Sequence, residues 1–257
     1  MSSEAPTLGL LAGPAIGTQG EGTTGPGGST LRIGGGGYRA ALFHLGALTR
    51  LNELGLLPQV DTIGAAGGGS ILAALLAARV PWPLNGPFPE WGEAVAGPLR
   101  EIAASGPIAR RPGDSTQTER YARELAASMG AALPERPRFV FGGAGLALGE
   151  MAVEGVSWRI DDTAGWPCYD AALVEDVIAA VRTDLDAFDY GEQAVLENHG
   201  YLLADAALRE RDLAPEDRND PTTPPFPKWM DEARVRLALA ASVRRTRLGR
   251  LRRRRGA

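Results

Sequence analysis

The strongest chemical signal in this chain lies in two glycine turns. The first reads Gly34-Gly35-Gly36-Gly37-Tyr38-Arg39; the second reads Ile63-Gly64-Ala65-Ala66-Gly67-Gly68-Gly69-Ser70. Glycines between a strand and a helix permit positive φ and close backbone approach. The unpaired N–H groups that open a helix receive an anion. That anion is a pyrophosphate in a nucleotide-binding protein and a tetrahedral oxyanion in an acyl hydrolase. A dinucleotide fingerprint wants G-x-G-x-x-G and an acidic residue about 20 positions on. Here Ala40 fills the third glycine position, although Glu53 and Asp61 lie downstream. A P-loop wants Lys-Ser or Lys-Thr after the glycines, and neither follows. The second turn has the small flanks of a nucleophile elbow, in which a serine sits on a sharp strand-to-helix bend. Ala65 precedes the tip, and Gly68 and Gly69 follow it. The tip itself is Gly67. Glycine tolerates the backbone of an elbow, but without a nucleophile only binding and oxyanion effects remain.

Other side chains offer weaker chemistry. Ser70 is the nearest hydroxyl to the tip, about 4.5 Å further along a helix axis. A serine there is expected to bond a backbone carbonyl, which leaves a substitute nucleophile as its lesser role. His44 falls on the helix after the first turn, where a structural donor is the commoner role than a base. His199 is expected on a helix surface, and the two histidines make no metal motif. Cys168 follows Trp166-Pro167 in a loop without an evident activating charge. Asp161 and Asp162 read as solvated neighbours. Trp82, Phe88 and Trp91 lie among prolines, where packing onto the core is commoner than lining an acyl groove.

These residues need a scaffold. Leu31 to Ile33 is a short strand, and Ala40 to Leu54 has apolar Leu42, Phe43, Gly46, Leu48 and Leu51 at helical spacing, with Gly55 as C-cap. Val60 to Ala65 is a second strand and Ser70 to Ala78 a second helix, stopped by Pro81 and Pro83. Helices are predicted over Trp91–Ala104, Thr116–Gly130, Asp170–Leu185, Glu192–Arg209 and Asp231–Arg247, and a third strand over Arg138–Phe141. Alternation of strands and helices indicates an α/β layered sheet. The sheet is under-supplied with strands, since a mean sheet has about five or six.

The chain has 257 residues, of which 44% are hydrophobic, enough to bury a substantial core. A formal charge of -4 argues against general nucleic-acid binding. A single cysteine cannot form an internal disulfide, and no run approaches the ~18 apolar residues of a membrane span. The start lacks the basic residues of a signal peptide. A cytoplasmic location is expected, with peripheral membrane contact as the variant. That variant comes from Arg244, Arg245, Arg247, Arg250 and Arg252 to Arg255, which would suit an anionic membrane surface or form a solvated tail. No cofactor and no metal is expected.

At this point the chain resembles the bacterial patatin-like phospholipases. The residues that carry the likeness are Gly35 to Gly46, Asn52-Glu53-Leu54-Gly55, Asp61-Thr62-Ile63 and Gly68-Gly69-Ser70-Ile71. Arg136 to Phe141 looks like the following family strand; Arg182 to Phe188 and Glu197 to Asp205 look like its C-terminal helices. The resemblance implies a patatin-like layered sheet flanked by helices, here incomplete. It also implies lipid acyl ester hydrolysis by a serine–aspartate dyad. Residue by residue, the family serine falls on Gly67, the oxyanion glycines on Gly35, Gly36 and Gly37, and Arg39 beside the hole. The family aspartate precedes a glycine, and this chain has no Asp-Gly pair; Asp170-Ala171-Ala172 is a poor substitute.

The expected organisation is a disordered Gly-rich segment over 1–30 and a patatin-like α/β domain over 31–214, shortened after about residue 149. A Pro-rich linker, final helix and basic tail follow over 215–257. The expected function is a catalytically impaired member of a lipid hydrolase family. The alternatives are a non-catalytic lipid- or partner-binding module, a weakly active esterase using Ser70, and a remnant that folds poorly.

Overall fold

Leu31 and Ile33 are buried apolar residues that point to one face of strand β2, Thr30–Ile33. The glycines that follow release the chain into helix α1, Gly37–Glu53. In the computed structural model the residues described are 8–10, 30–79, 82–83, 86–106, 138–141, 167–183, 185–210, 222–240 and 242. Strand β1 is Leu8–Leu10, β3 is Thr62–Ala65 and β4 is Arg138–Phe141. They form one parallel sheet in the order β1-β2-β3-β4. Register is fixed by Leu8 opposite Leu31, Leu31 opposite Ile63, and Ile63 opposite Phe139. The α/β layered expectation therefore holds, and the described sheet is small. It has one more strand than the sequence predicts. β1 lies inside the segment expected to be disordered, because Leu-Gly-Leu is too short to show a period; its pairing with β2 makes the strand.

Helix α2 is Gly69–Arg79. One π-helical turn, Gly92–Ala96, runs into α3, Gly97–Ser105, which ends on left-handed Gly106. Helix α4, Ala171–Leu173, continues as a second π-helical turn over Val174–Ile178, with Asp170 as N-cap accepting from Ala172 and Leu173 N–H. This element stops well before the predicted Leu185, because Arg39 takes the carbonyls of Ala179 and Val181 that a longer helix would use itself. Helix α5, Tyr190–Glu210, starts two residues earlier than expected. Asp189 accepts from Glu192 N–H while Glu192 accepts from Asp189 N–H, a reciprocal capping box. A 3-10 turn, Pro227–Met230, leads into α6, residues 232–240. The predicted helix over Thr116–Gly130, the Asp161-Asp162 pair and Arg244 to Arg255 lie outside the described residues.

Helices α1 and α5 are buried along almost their whole length and form the centre of the molecule. They touch backbone to backbone. A Cβ on Gly46 would lie 1.9 Å from the Glu197 carbonyl oxygen, and one on Gly200 would lie 1.9 Å from that of Phe43. Polar groups cross the same seam. Arg50 Nε donates to Asp205 at 2.7 Å, and Thr222 and Arg209 close on the other Asp205 oxygen at 2.5 and 2.8 Å. Arg100 pairs with buried Glu197 through two nitrogens, at 2.9 and 2.7 Å.

Candidate functional site

Because β2 and β3 are adjacent and parallel, the turns that follow them leave the same end of the sheet side by side. The ladder does not stop at the strand ends. Ala66 N–H donates to the Ile33 carbonyl at 3.0 Å, and Gly68 N–H donates to the Gly35 carbonyl at 2.6 Å. The second turn is thus zipped onto the first. Its glycines are explained by that contact. A Cβ on Gly67 would lie 2.4 Å from the Gly35 oxygen, one on Gly68 2.0 Å from the Gly37 oxygen, and one on Gly69 2.5 Å from the Ile33 oxygen. Gly67 also has φ +53, a left-handed backbone that disfavours side chains.

This arrangement bears directly on acyl chemistry. An oxyanion is held by the amide of the residue after the nucleophile, together with amides of the neighbouring turn. Gly68 is the residue after the tip, and its N–H is spent on Gly35. Gly35, at φ 107, turns a carbonyl oxygen rather than an N–H toward the elbow. Gly67 is buried beneath it, whereas Gly36 is exposed. Thr183 stands over Gly36, with its Cβ 3.1 Å from where a Gly36 Cβ would be.

Neighbouring side chains brace the turns. His44 is fully buried, with Nε2 2.7 Å from the Gly34 carbonyl oxygen and 3.1 Å from its nitrogen. Burial lowers its pKa from 6.5 to about 4, against the raising effect of the Gly34 hydrogen bond. The ring is therefore neutral at pH 7. Its Nδ1 has no hydrogen-bond partner among the described residues. Arg39 Nη1 donates to the Ala179 and Val181 carbonyls, both at 2.9 Å, at the C-terminal end of the second π-helical turn. Burial lowers the Arg39 pKa as well. Arg39 thus clamps a distant segment to the start of α1.

Ser70 N–H donates to the Gly67 carbonyl at 3.0 Å in the first turn of α2. Its Oγ is fully buried and has no partner among the described residues, so the expected bond to a backbone carbonyl is not made. No carboxylate bonds Ser70 or His44, and no group of three or more His, Cys, Asp or Glu among the described residues could hold a metal. The exposed Asp170 is occupied as a helix cap.

Two expectations need correction or relocation. His199 is not on a helix surface. It is 2% exposed, with its ring centroid 5.6 Å from that of Phe43 and 6.0 Å from that of Tyr169, because both sides of α5 are covered. Trp82, Phe88 and Trp91 gather at the far end of α1. Trp91 Nε1 donates to Thr49 Oγ1 at 2.9 Å and Phe88 N–H to Asn52 Oδ1 at 2.7 Å. That end is about 24 Å from Gly36 by helix rise. Cys168 is half-buried. A structural role was the commoner one expected of His44, but its spacing of ten residues from Gly34 gives no local signal of the partner.

A family model described as Patatin-like phospholipase matches residues 31–243. The match opens at β2 and runs through both glycine turns, α5 and α6. No curated protein and no solved structure matches the chain.

Proposed function

The chain belongs to the patatin-like phospholipase family, whose members are lipid hydrolases in kind, and on that premise we propose that this copy has lost ester hydrolysis. The single observation that carries the reading is the contact between the turns. The Gly35 carbonyl occupies the space a side chain at position 67 would need, and it takes the Gly68 amide. Loss of the serine alone removes the nucleophile. The packed turns remove the room for one and the donor that would steady the oxyanion. Absence of an Asp-Gly turn from the sequence agrees with this reading. Gly35, Gly36, Gly37 and Arg39 are then inherited structure at a former oxyanion site. Ser70, buried inside α2, is a poor substitute nucleophile on the same grounds, since a substrate carbonyl must come within about 3 Å of it.

What remains is a non-catalytic lipid- or partner-binding role for the scaffold. Fatty-acyl lipids are the ligand class that family membership favours. Peripheral contact with an anionic membrane through Arg244 to Arg255 belongs to the same reading. No helix among the described residues is long and apolar enough to cross a membrane.

Gly67→Ser tests the reading. The variant is expected to melt earlier than the parent, by about 2 kcal/mol or more of lost stability, from left-handed φ and the Gly35 contact. It should turn over a short-chain chromogenic ester no faster than the parent. A gain of roughly a hundredfold or more, the scale of a positioned acid–base pair, would mean that a base and an open oxyanion site are present after all.

A further inference from the structure

Helix α6 is held by one stripe of its surface. Val235 and Leu239, with Ser242 just beyond the helix, are fully buried, and Ala238 stands in the same i, i+3, i+4, i+7 row. The seat for this stripe is the first turn of α5. A Cβ built on Gly191 would lie 3.0 Å from the Ala238 Cβ and 2.7 Å from the Trp229 ring, so the missing side chain at 191 makes the room. The other side of α6 faces outward, with Glu232, Ala233, Arg234, Arg236 and Leu237 exposed. A helix seated on two large apolar side chains opens more readily than α1 and α5, which are buried along their length.

The stripe ends on a buried charge. Arg182 is 5% exposed; its Nη1 donates to Ser242 Oγ at 2.8 Å and pairs with Glu192 of α5. Its Nη2 donates to the Ala187 carbonyl, and its guanidinium lies 4.1 Å over the Phe188 ring. Arg182 belongs to a segment that crosses the first glycine turn. On one side of it, Arg39 of α1 holds the carbonyls of Ala179 and Val181. On the other, Thr183 stands over Gly36. The three atoms nearest to a Cβ built on Gly36 all belong to Thr183, at 3.1, 3.3 and 3.9 Å. Gly36 is the N-cap residue of α1, which has no side-chain cap and no acidic residue in its first turn. The contact that α6 makes with Arg182 is thus one residue away from the contact that covers the start of α1.

We infer that α6 is a latch: docked on Gly191 and Arg182 it holds Thr183 over the first glycine turn, and undocked it frees that segment to leave Gly36. Glu192 makes the device reversible. When α6 leaves, Arg182 loses Ser242 and meets water, but its charge stays paired, so no buried ion is orphaned. The guanidinium then moves toward solvent, and Thr183 moves with it. The latch depends neither on ester turnover nor on a lipid ligand, so it stands or falls apart from the function proposed above.

Native-state hydrogen exchange of the full chain, read residue by residue by NMR, is the test. Two amides flank Thr183 and report on the segment: Val181, which donates to the Ile178 carbonyl at 3.1 Å, and Phe188, which donates to that of Ala103 at 2.9 Å. In the parent at low urea, these two and the amides of α6 should share one opening reaction, with the same protection and the same urea dependence, while α2 stays more strongly protected. Gly191→Ala adds a methyl group against Ala238 and Trp229 and leaves Arg182 and the glycine turn untouched. It should speed exchange at α6, Val181 and Phe188 together, by about tenfold or more, and leave α2 unchanged. Faster exchange at α6 that Val181 and Phe188 do not follow overturns the latch. So does a parent in which Val181 and Phe188 open only with α2. If Gly191→Ala does not fold, the urea series on the parent decides alone.

Discussion

Burial holds the His44 imidazole neutral, and its pKa of about 4 against an ordinary 6.5 makes a pH dependence of folding. The unfolded chain binds a proton between these values that the folded chain refuses, so stability from this group is full above about pH 6.5 and is lost as pH falls toward 4. The full loss is about 3 kcal/mol. Urea unfolding of the parent at pH 7 and pH 4.5 should show most of that drop, and His44→Gln should show a shallower one. Carboxylates titrate alike in both chains, so equal slopes would mean that His44 is not the buried neutral brace described. The identity of Gly67 at the tip was legible from sequence because the flanking residues define the turn. What was not legible is that Gly67, Gly68 and Gly69 each face a backbone carbonyl of residues 33–37. That close approach joins segments distant in sequence. Ser70 shows the same limit: its helix position was readable; that its Oγ has no partner among the described residues was not.

The pairing of α1 with α5 sets the geometry of the whole site, since α1 begins at the first glycine turn. Gly46 reads from sequence as one small member of an apolar stripe. In the fold it is the point where the Glu197 carbonyl reaches the helix, and Gly200 is its counterpart against Phe43. Gly46→Ala and Gly200→Ala should each cost about 3 kcal/mol, because neither neighbour is a side chain that can swing away. Gly92→Ala, where no atom lies within 4 Å, should be neutral or stabilising by up to about 1 kcal/mol. Thermal melts of the three variants compare them directly; an equal effect at all three positions would contradict close helix contact. Helix existence was well marked by apolar spacing, as in α1 and α5. Helix ends were not where a tertiary partner decides them. Arg39 stops the segment after α4, and the Asp189–Glu192 box moves the start of α5, although Asp189 three residues before Glu192 was a usable signal. Strand β1 was illegible for another reason: three residues cannot show alternation, and only pairing with β2 defines it.

Across the whole molecule, the parallel sheet places the two glycine turns side by side at the C-terminal ends of its inner strands, and α5 with α6 closes over their side. Residues 222–230 and α6 pack against this end. Tyr169 donates to the Trp229 carbonyl at 2.9 Å, and Arg182 reaches Ser242. The family match correspondingly extends to residue 243. A scaffold so completed, with its turns packed onto each other, has a folded core independent of catalysis. Reaction of the full chain with an alkyl fluorophosphonate, read by intact mass, tests this most directly, because the reagent marks any serine that a base and an oxyanion site have activated. The unaltered chain is expected to keep its mass. One equivalent of adduct, on Ser70 or any other serine, would contradict it.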